Sequence, residues 1–173
     1  RGLAAQGAQL MINGFGDTAS PLAELRALGV RVVHHGADMS RPEQVADMVQ
    51  CCEAEFGSCD ILVNNAGIQH VALIEDFPLE RWDAIIAINL SSAFHAMRAA
   101  LPGMKRRGWG RIVNIASVHG LVASAQKSAY AAAKHGLVGL TKAAALECAT
   151  SGVTVNAICP GWVLTPLVQK QVD

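Results

Sequence analysis

The sequence has no excess of either charge, no long uninterrupted apolar run and no recognisable secretion signal. Lys and Arg together number 14, as do Asp and Glu, so nothing indicates a basic field for nucleic acid. The longest apolar runs are broken by Arg, Asp or Gly well short of the roughly 20 residues that cross a bilayer. We therefore expect a protein that binds neither nucleic acid nor membrane, and we see no signal peptide.

Cysteine spacing is also uninformative as a motif. The five cysteines are an odd number and form neither a CxxC pair nor a Cys/His zinc spacing, so no metal site is predicted. Cys51 and Cys52 are adjacent, which is a poor geometry for a disulfide. These features favour reduced, mostly buried thiols and a cytoplasmic location.

The composition is that of one folded domain spanning residues 1–173. Hydrophobic residues make up 51% of the chain and charged residues only 16%, which excludes disorder and provides a real core. The first residue is Arg rather than Met, so we expect the true N-terminus to be missing.

Strand and helix patterns alternate along the whole chain. Apolar strands are predicted at 8–13, 30–34, 60–64, 110–115 and 153–158. Helices are predicted up to Gly7, from Ser20-Pro21 to Gly29, from a capping box at 40–43 to about Phe56, from Leu79 to Leu101 or Arg106, from Ser128 to Thr150, and from Pro166. Continuous apolar strands between helices indicate a doubly wound, Rossmann-like α/β fold with a parallel sheet. Ligands of such folds bind at the carboxyl ends of the strands.

One helix carries a candidate catalytic pair. Tyr130 and Lys134 are four residues apart, so they lie on one helical face. A neighbouring cation favours phenolate and lowers the pKa of a tyrosine from about 10 toward neutrality. A phenol tuned in this way can transfer protons near physiological pH. The pair alone is more often part of an ordinary helix surface, with a partly exposed Tyr and a Lys whose stem lies along the helix.

Further candidates follow the predicted strands. They are Asp38, which could hold an adenine ring, the small residues Asn65, Ala66 and Gly67, Ser117, Asn89 within a helix, Pro160 and Gly161 in a turn, and Thr165, which could bond a carboxamide. Each by itself could have a purely structural role. Together they place polar and small residues along one edge of the sheet.

The spaced set resembles the short-chain dehydrogenase/reductase family. The resemblance rests on Asn64-Asn-Ala-Gly67, Asn89, Ser117, Tyr130-x-x-x-Lys134 and Pro160-Gly161. It implies NAD(P)-dependent alcohol and carbonyl chemistry. By this resemblance Tyr130 is the general acid/base and Ser117 orients the carbonyl. Lys134 would tune Tyr130 and bind the nicotinamide ribose, and Asn89 would hold a proton-relay water.

A narrower resemblance, to bacterial members that act on small hydroxy acids, rests on Ile12–Gly16, Gly67–His70, His119–Ser124 and Cys159–Val163 with 167–171. It implies hydride transfer between (R)-3-hydroxybutyrate and NAD, giving acetoacetate. It assigns the substrate carboxylate to Gln69, His119, Lys127 and Gln171, with Trp162 as a pocket wall. One cation with amide and imidazole donors is a sound set for a carboxylate.

NAD is the expected cofactor. NADP usually requires Arg or Lys after the second strand of the fold, and the turn at 13–16 supplies no charge. The expected cofactor-binding residues are Phe15, Asp38, Asn65, Ala66, Gly67, Tyr130, Lys134, Pro160, Gly161, Val163 and Thr165.

The sequence departs from the family at both ends. The first strand and its Gly-rich phosphate loop are absent, so strands 8–13 and 60–64 should lack a shared neighbour. We therefore expect a fragment that folds poorly and binds NAD weakly by itself. Three alternatives stay open: a 3-oxoacyl thioester reductase, a polyol dehydrogenase, or a non-catalytic subunit. The resemblance also implies a homo-oligomer, a dimer of dimers.

Overall fold

Helices and strands alternate in the computed structural model, which describes residues 1–163. Its elements are α1 (Gly2–Ala5), β1 (Leu10–Asn13), α2 (Ala19–Arg26), β2 (Val32–His35), α3 (Pro42–Phe56), β3 (Ile61–Asn64), α4 (Leu79–Ile86), α5 (Ser92–Arg107), β4 (Gly110–Ile115), α6 (Ser128–Cys148) and β5 (Val153–Ile158). A π-helical turn, Ala87–Ser91, joins α4 to α5, and a 3₁₀ turn, Val118–Gly120, follows β4. The α/β fold class is confirmed, and β4 and β5 have the predicted bounds.

The five parallel strands form two separate sheets. In the smaller sheet β1 pairs with β2, with Leu10 opposite Val32. In the larger sheet β4 is central, with Ile61 of β3 opposite Arg111 on one side and Gly110 opposite Val153 of β5 on the other. The predicted lack of a neighbour shared by β1 and β3 is therefore seen directly.

A groove of about 880 Å³ runs between the two sheets. Residues 10–13 of β1 and 61–64 of β3 line it. On β3, Ile61 and Val63 are 39% and 44% exposed, although apolar strand residues of a doubly wound sheet are normally covered on both faces. The groove therefore leaves one edge of each sheet without a hydrogen-bonding partner strand among the described residues.

The main core lies between the larger sheet and the helices that cover it. Helix α3 contributes Val45 and Val49, helix α5 contributes Ala96, Ala100 and Met104, and these pack with Ile112 of β4. Small alanines on α5 let that helix approach the sheet closely.

The helical run Leu79–Arg107 is long and apolar enough, by length and composition alone, to cross a membrane, which the sequence reading did not anticipate. Within the described residues it is the one run that meets that test. The alanine face of this run is buried in the main core, so in this fold the run packs against the larger sheet as a core helix.

Two helix starts differ from their predicted caps. Helix α2 begins at Ala19, and the Asp17 carboxylate accepts the N–H groups of Ala19 and Ser20, so Ser20 lies inside the helix. Helix α3 begins at Pro42 without a side-chain cap, and the Ser40 hydroxyl donates to Asp38 Oδ1 at 2.7 Å. In both cases a nearby aspartate, and not the predicted serine, accepts the side-chain hydrogen bonds around the helix start. The helix predicted from Pro166 lies outside the described residues.

Candidate active site

Tyr130 and Lys134 lie on the same face of α6, directed at the carboxyl end of the larger sheet. Lys134 Nζ is 5.7 Å from the centre of the Tyr130 ring. It also donates a hydrogen bond of 2.7 Å to the carbonyl of Ile115, the last residue of β4. The four-residue spacing on α6 thus brings a phenol and an amine to the strand end where a ligand of this fold is expected.

Lys134 is almost completely buried, with 4% of its surface exposed. Desolvation lowers the pKa of its ammonium to about 8, and the negative charge available at Cys159 opposes this shift. The single carbonyl bond to Ile115 offsets only part of the cost of burying the charge. The amine is therefore poised to change its charge near physiological pH.

Ser117 and His119 reach the same place from the turn after β4. The Ser117 hydroxyl accepts the backbone N–H of His119 at 3.1 Å and lies 3.5 Å from His119 Nδ1. The His119 and Tyr130 rings meet edge to face, with their centres 6.0 Å apart. Burial and the neighbouring charge of Lys127 lower the pKa of His119, which favours the neutral imidazole.

Backbone contacts hold this turn against its neighbours. The Val118 N–H donates to the Pro160 carbonyl at 2.8 Å, which joins the loops after β4 and β5. Gly120 lies directly on the backbone of α6, since a Cβ at this position would be 2.8 Å from the Lys134 carbonyl oxygen. The absence of a side chain at Gly120 is thus what lets Ser117 and His119 approach Tyr130.

Asn89 lies in the π-helical turn and is buried. Its Oδ1 accepts the N–H of Ile68 and its Nδ2 donates to the carbonyl of Ile68, both at 2.9 Å. Each half of the amide thus clamps the loop that follows Gly67. π-Turns within helices often occur at functional sites, because they alter the local hydrogen-bond pattern. Both polar atoms of the Asn89 amide thus have a partner in the backbone of Ile68.

Several of the expected cofactor residues follow the ends of β1, β2 and β3. Asn65 and Ala66 follow β3 and line the groove between the sheets. Phe15, after β1, is 74% exposed. The Asp38 carboxylate accepts the N–H and hydroxyl of Ser40, which lower its pKa, while its own N–H donates to Gln44. One carboxylate oxygen of Asp38 thus already has a local structural role.

Two of the expected substrate residues, Lys127 and Trp162, contact each other. Lys127 Nζ lies 5.1 Å from the centre of the Trp162 ring, in a cation–π arrangement. Trp162 is 70% exposed, and Gln69 is partly buried. The loop after β5 also carries Pro160, Gly161 and Val163. Thr165 and Gln171 lie outside the described residues.

Two polar features were missed by sequence reasoning. Ser124 lies 2.9 Å from His119 Nε2 and so fixes one side of the imidazole. Asn114, fully buried in β4, accepts from Asn64 Nδ2 at 2.8 Å and donates to Thr141 Oγ1 at 2.9 Å. This bridge links β3, β4 and α6 below the site. The polar residue at an inward position of an apolar strand was the signal that could have revealed Asn114.

Comparison with known proteins agrees with this arrangement. The family described as short chain dehydrogenase matches residues 1–173. The chain belongs to the short-chain dehydrogenase family. The resemblance noted in the sequence is thereby confirmed.

Individual relatives within the short-chain dehydrogenases differ in their named substrates. D-beta-hydroxybutyrate dehydrogenases of Cupriavidus necator and Rhizobium meliloti are 67% and 60% identical, over 100% and 99% of this chain, and the match covers 68% of each relative. Cyclohexanol dehydrogenase of an Acinetobacter species is 37% identical over 97% of this chain and 68% of its own length. All three relatives are longer than this chain, and all are named as dehydrogenases.

Proposed function

We propose that this chain carries the catalytic centre of an NAD-dependent dehydrogenase that interconverts (R)-3-hydroxybutyrate and acetoacetate. The observation that carries the proposal is that Tyr130 and Lys134 lie together at the carboxyl end of β4, beside His119, which is hydrogen-bonded to Ser117. The choice of substrate is supported by the names of relatives that are 60–67% identical over nearly the whole chain.

Tyr130 is the proposed general base, which accepts the proton of the substrate C3 hydroxyl and returns it to the ketone in the reverse reaction. The Ser117 hydroxyl donates a hydrogen bond to the same oxygen. The buried cation of Lys134, 5.7 Å from the Tyr130 ring centre, stabilises the phenolate form of Tyr130 that accepts this proton. Asn89 keeps the loop after Gly67 in place through Ile68.

The substrate carboxylate is proposed to bind beside this cluster. Lys127 supplies the positive charge, and Gln69 and His119 supply neutral donors. The bond between Ser124 and His119 Nε2 holds the imidazole in one orientation. Trp162 packs against the Lys127 ammonium and limits the space beyond a four-carbon acid. Gln171 is proposed as a further carboxylate ligand.

NAD is the proposed cofactor, and when bound it supplies the hydride acceptor. The residues fit it, because small residues follow β3 at the groove and no Lys or Arg in the turn after β1 could pair with a 2′-phosphate. Asn65, Ala66, Gly67 and the Pro160-Gly161 turn are proposed to face the dinucleotide, with Phe15 and Asp38 toward the adenine. Val163, Thr165 and Lys134 are proposed to face the nicotinamide half.

We also propose a cytoplasmic homotetramer. All five cysteines are free, which suits a reducing compartment. Phe94 on α5 and Leu146 on α6 are 47% and 79% exposed, which supports helix-to-helix association of subunits. Light scattering of the purified enzyme measures the assembly directly.

The direct test is NADH formation by the full-length enzyme with (R)-3-hydroxybutyrate, its mirror image and longer 3-hydroxy acids. We expect turnover of the (R)-acid and little of the others. Activity confined to long acyl chains would contradict the small-acid assignment and favour the thioester reductase. Lys127→Ala should raise KM with a small change in kcat, while the exposed Lys142→Ala on α6 serves as the control. An unchanged KM in Lys127→Ala removes this lysine from the carboxylate pocket.

A further inference from the structure

A second cluster of polar side chains, of the kinds that bind metal ions, lies between the end of β2 and α3, away from the Tyr130 site. His35 is the last residue of β2, and Asp47 and Cys51 lie one turn apart on α3. One ligand atom from each of the three lies within 4.8 Å of the others. The dehydrogenase chemistry proposed above uses none of them.

We propose that His35, Asp47 and Cys51 form a binding site for a borderline divalent transition-metal cation such as Zn²⁺. The donor set is one imidazole, one carboxylate and one thiol, which is the mixture that this class of cation prefers. Mg²⁺ and Ca²⁺ prefer oxygen ligands and are therefore poor occupants. A fourth position is left for water.

The spacing of the ligand atoms suits an ion of this size. Zn–N and Zn–O bonds of about 2.0–2.2 Å and Zn–S bonds of about 2.3 Å place neighbouring tetrahedral ligands about 3.3–3.8 Å apart. His35 Nε2 is 3.1 Å from Asp47 Oδ2, and Cys51 Sγ is 3.9 Å from Asp47 Oδ1. All three ligand atoms lie within 4.8 Å of one another, so side-chain shifts of up to about 1 Å bring them into coordination range.

The local electrostatics favour a cation. Asp47 contributes a carboxylate to the cluster, and its side chain is 63% exposed. A bound divalent ion offsets that negative charge. On binding, the thiol proton passes to solvent and the thiolate becomes a ligand.

An ion at this position would join two parts of the fold. His35 belongs to the smaller sheet, whereas α3 packs through Val45 and Val49 into the main core. Arg31, just before β2, already forms an ion pair with Glu55 near the other end of α3. The metal would strengthen the existing contact between His35 of β2 and Asp47 of α3, and Zn²⁺ should therefore slow hydrogen exchange of the β2 amides.

The test is titration of the metal-free, full-length enzyme with Co²⁺, a spectroscopic substitute for Zn²⁺. We expect one equivalent per chain to produce a thiolate-to-cobalt charge-transfer band, with the intense visible bands of a four-coordinate ion. Excess Zn²⁺ should abolish these bands, and excess Mg²⁺ should not. Absence of the charge-transfer band at one equivalent would overturn the proposal.

Variants identify the ligands. Cys51→Ser should lose the charge-transfer band, and Asp47→Asn should weaken Co²⁺ binding roughly tenfold or more. Asp47 has a side chain that is 63% exposed, so its replacement leaves packing intact. Cys52→Ser, at the adjacent cysteine outside the cluster, is the matched control and should bind Co²⁺ as the parent does. Retention of the band in Cys51→Ser, or parental affinity in Asp47→Asn, would also overturn the assignment.

Discussion

The two sheets of this molecule differ in the size of the hydrophobic core that packs against them among the described residues. The larger sheet and its helices share a cluster of thirteen buried residues, whereas the cluster beside β1 and β2 contains three, Ala4, Leu25 and Val32. Ser117, Tyr130 and Lys134 are all attached to the larger part. The proposed catalytic groups thus rest on the better-packed part, while β1 and β2 carry expected cofactor contacts and the proposed metal site.

Because the catalytic groups rest on the better-packed part, we expect that catalytic activity can be removed there without a loss of stability. Tyr130→Phe removes only the phenol hydroxyl, so we expect kcat to fall by about 10²–10⁴-fold while NAD affinity and the free energy of unfolding stay near the parent values. Steady-state kinetics, a cofactor titration and a denaturant melt check this. Appreciable turnover by the variant would show that another group transfers the proton.

A matched pair of leucines compares the two cores. Leu62 on β3 and Leu25 on α2 are both 8% exposed. Leu62→Ala should lower the global free energy of unfolding by about 2–5 kcal/mol. Leu25→Ala should mainly speed local opening of β1 and β2, because few other buried groups support that region. Hydrogen exchange and denaturant melts distinguish these outcomes, and equal global losses would mean that the two sheets unfold as one unit.

The buried amine of Lys134, in the larger part, should make the free energy of unfolding depend on pH. The folded pKa of Lys134, about 8, lies below its ordinary 10.5, so the folded state gives up this proton first. Burying the charged amine destabilises the folded state fully below pH 8, and this destabilisation declines as the pH rises toward 10.5. The parent should therefore gain stability relative to Lys134→Met across that window, by up to about 3 kcal/mol.

Melts of both proteins between pH 7 and 10.5 measure this gain. Lys142→Met, at an exposed position eight residues further along α6, is the control and should show no such slope relative to the parent. A flat difference between the parent and Lys134→Met would mean that the amine is already hydrated in the folded protein.

The smallest expected effect concerns the close approach of Gly120 to α6. Gly120→Ala places a methyl group against the Lys134 backbone carbonyl, which cannot move as a side chain can. We expect a loss of about 1–3 kcal/mol in stability, with a fall in kcat/KM because Ser117 moves away from Tyr130. Gly139→Ala, in open space on the same helix, should be neutral or slightly stabilising. Normal kinetics in Gly120→Ala would show that the turn tolerates a shift.

Much of the larger part could be predicted from local pattern. The bounds of β4 and β5 follow from continuous apolar runs between turn residues, and the common face of Tyr130 and Lys134 follows from helical periodicity. The starts of α2 and α3 could not be predicted as well. Asp17 accepts the first N–H groups of α2 and Asp38 accepts the Ser40 hydroxyl, and such contacts depend on where each carboxylate lies in space.

The sequence alone determined the alternation of strand and helix, the family and the pairing of phenol with amine, because each depends on residues close together along the chain. Only the tertiary structure decided which distant groups meet. It brought His119 to Tyr130, joined Asn89 to Ile68, and placed His35 beside two side chains of α3. The physical reason is that packing of helices on sheets fixes these distances, and no spacing along the chain encodes them.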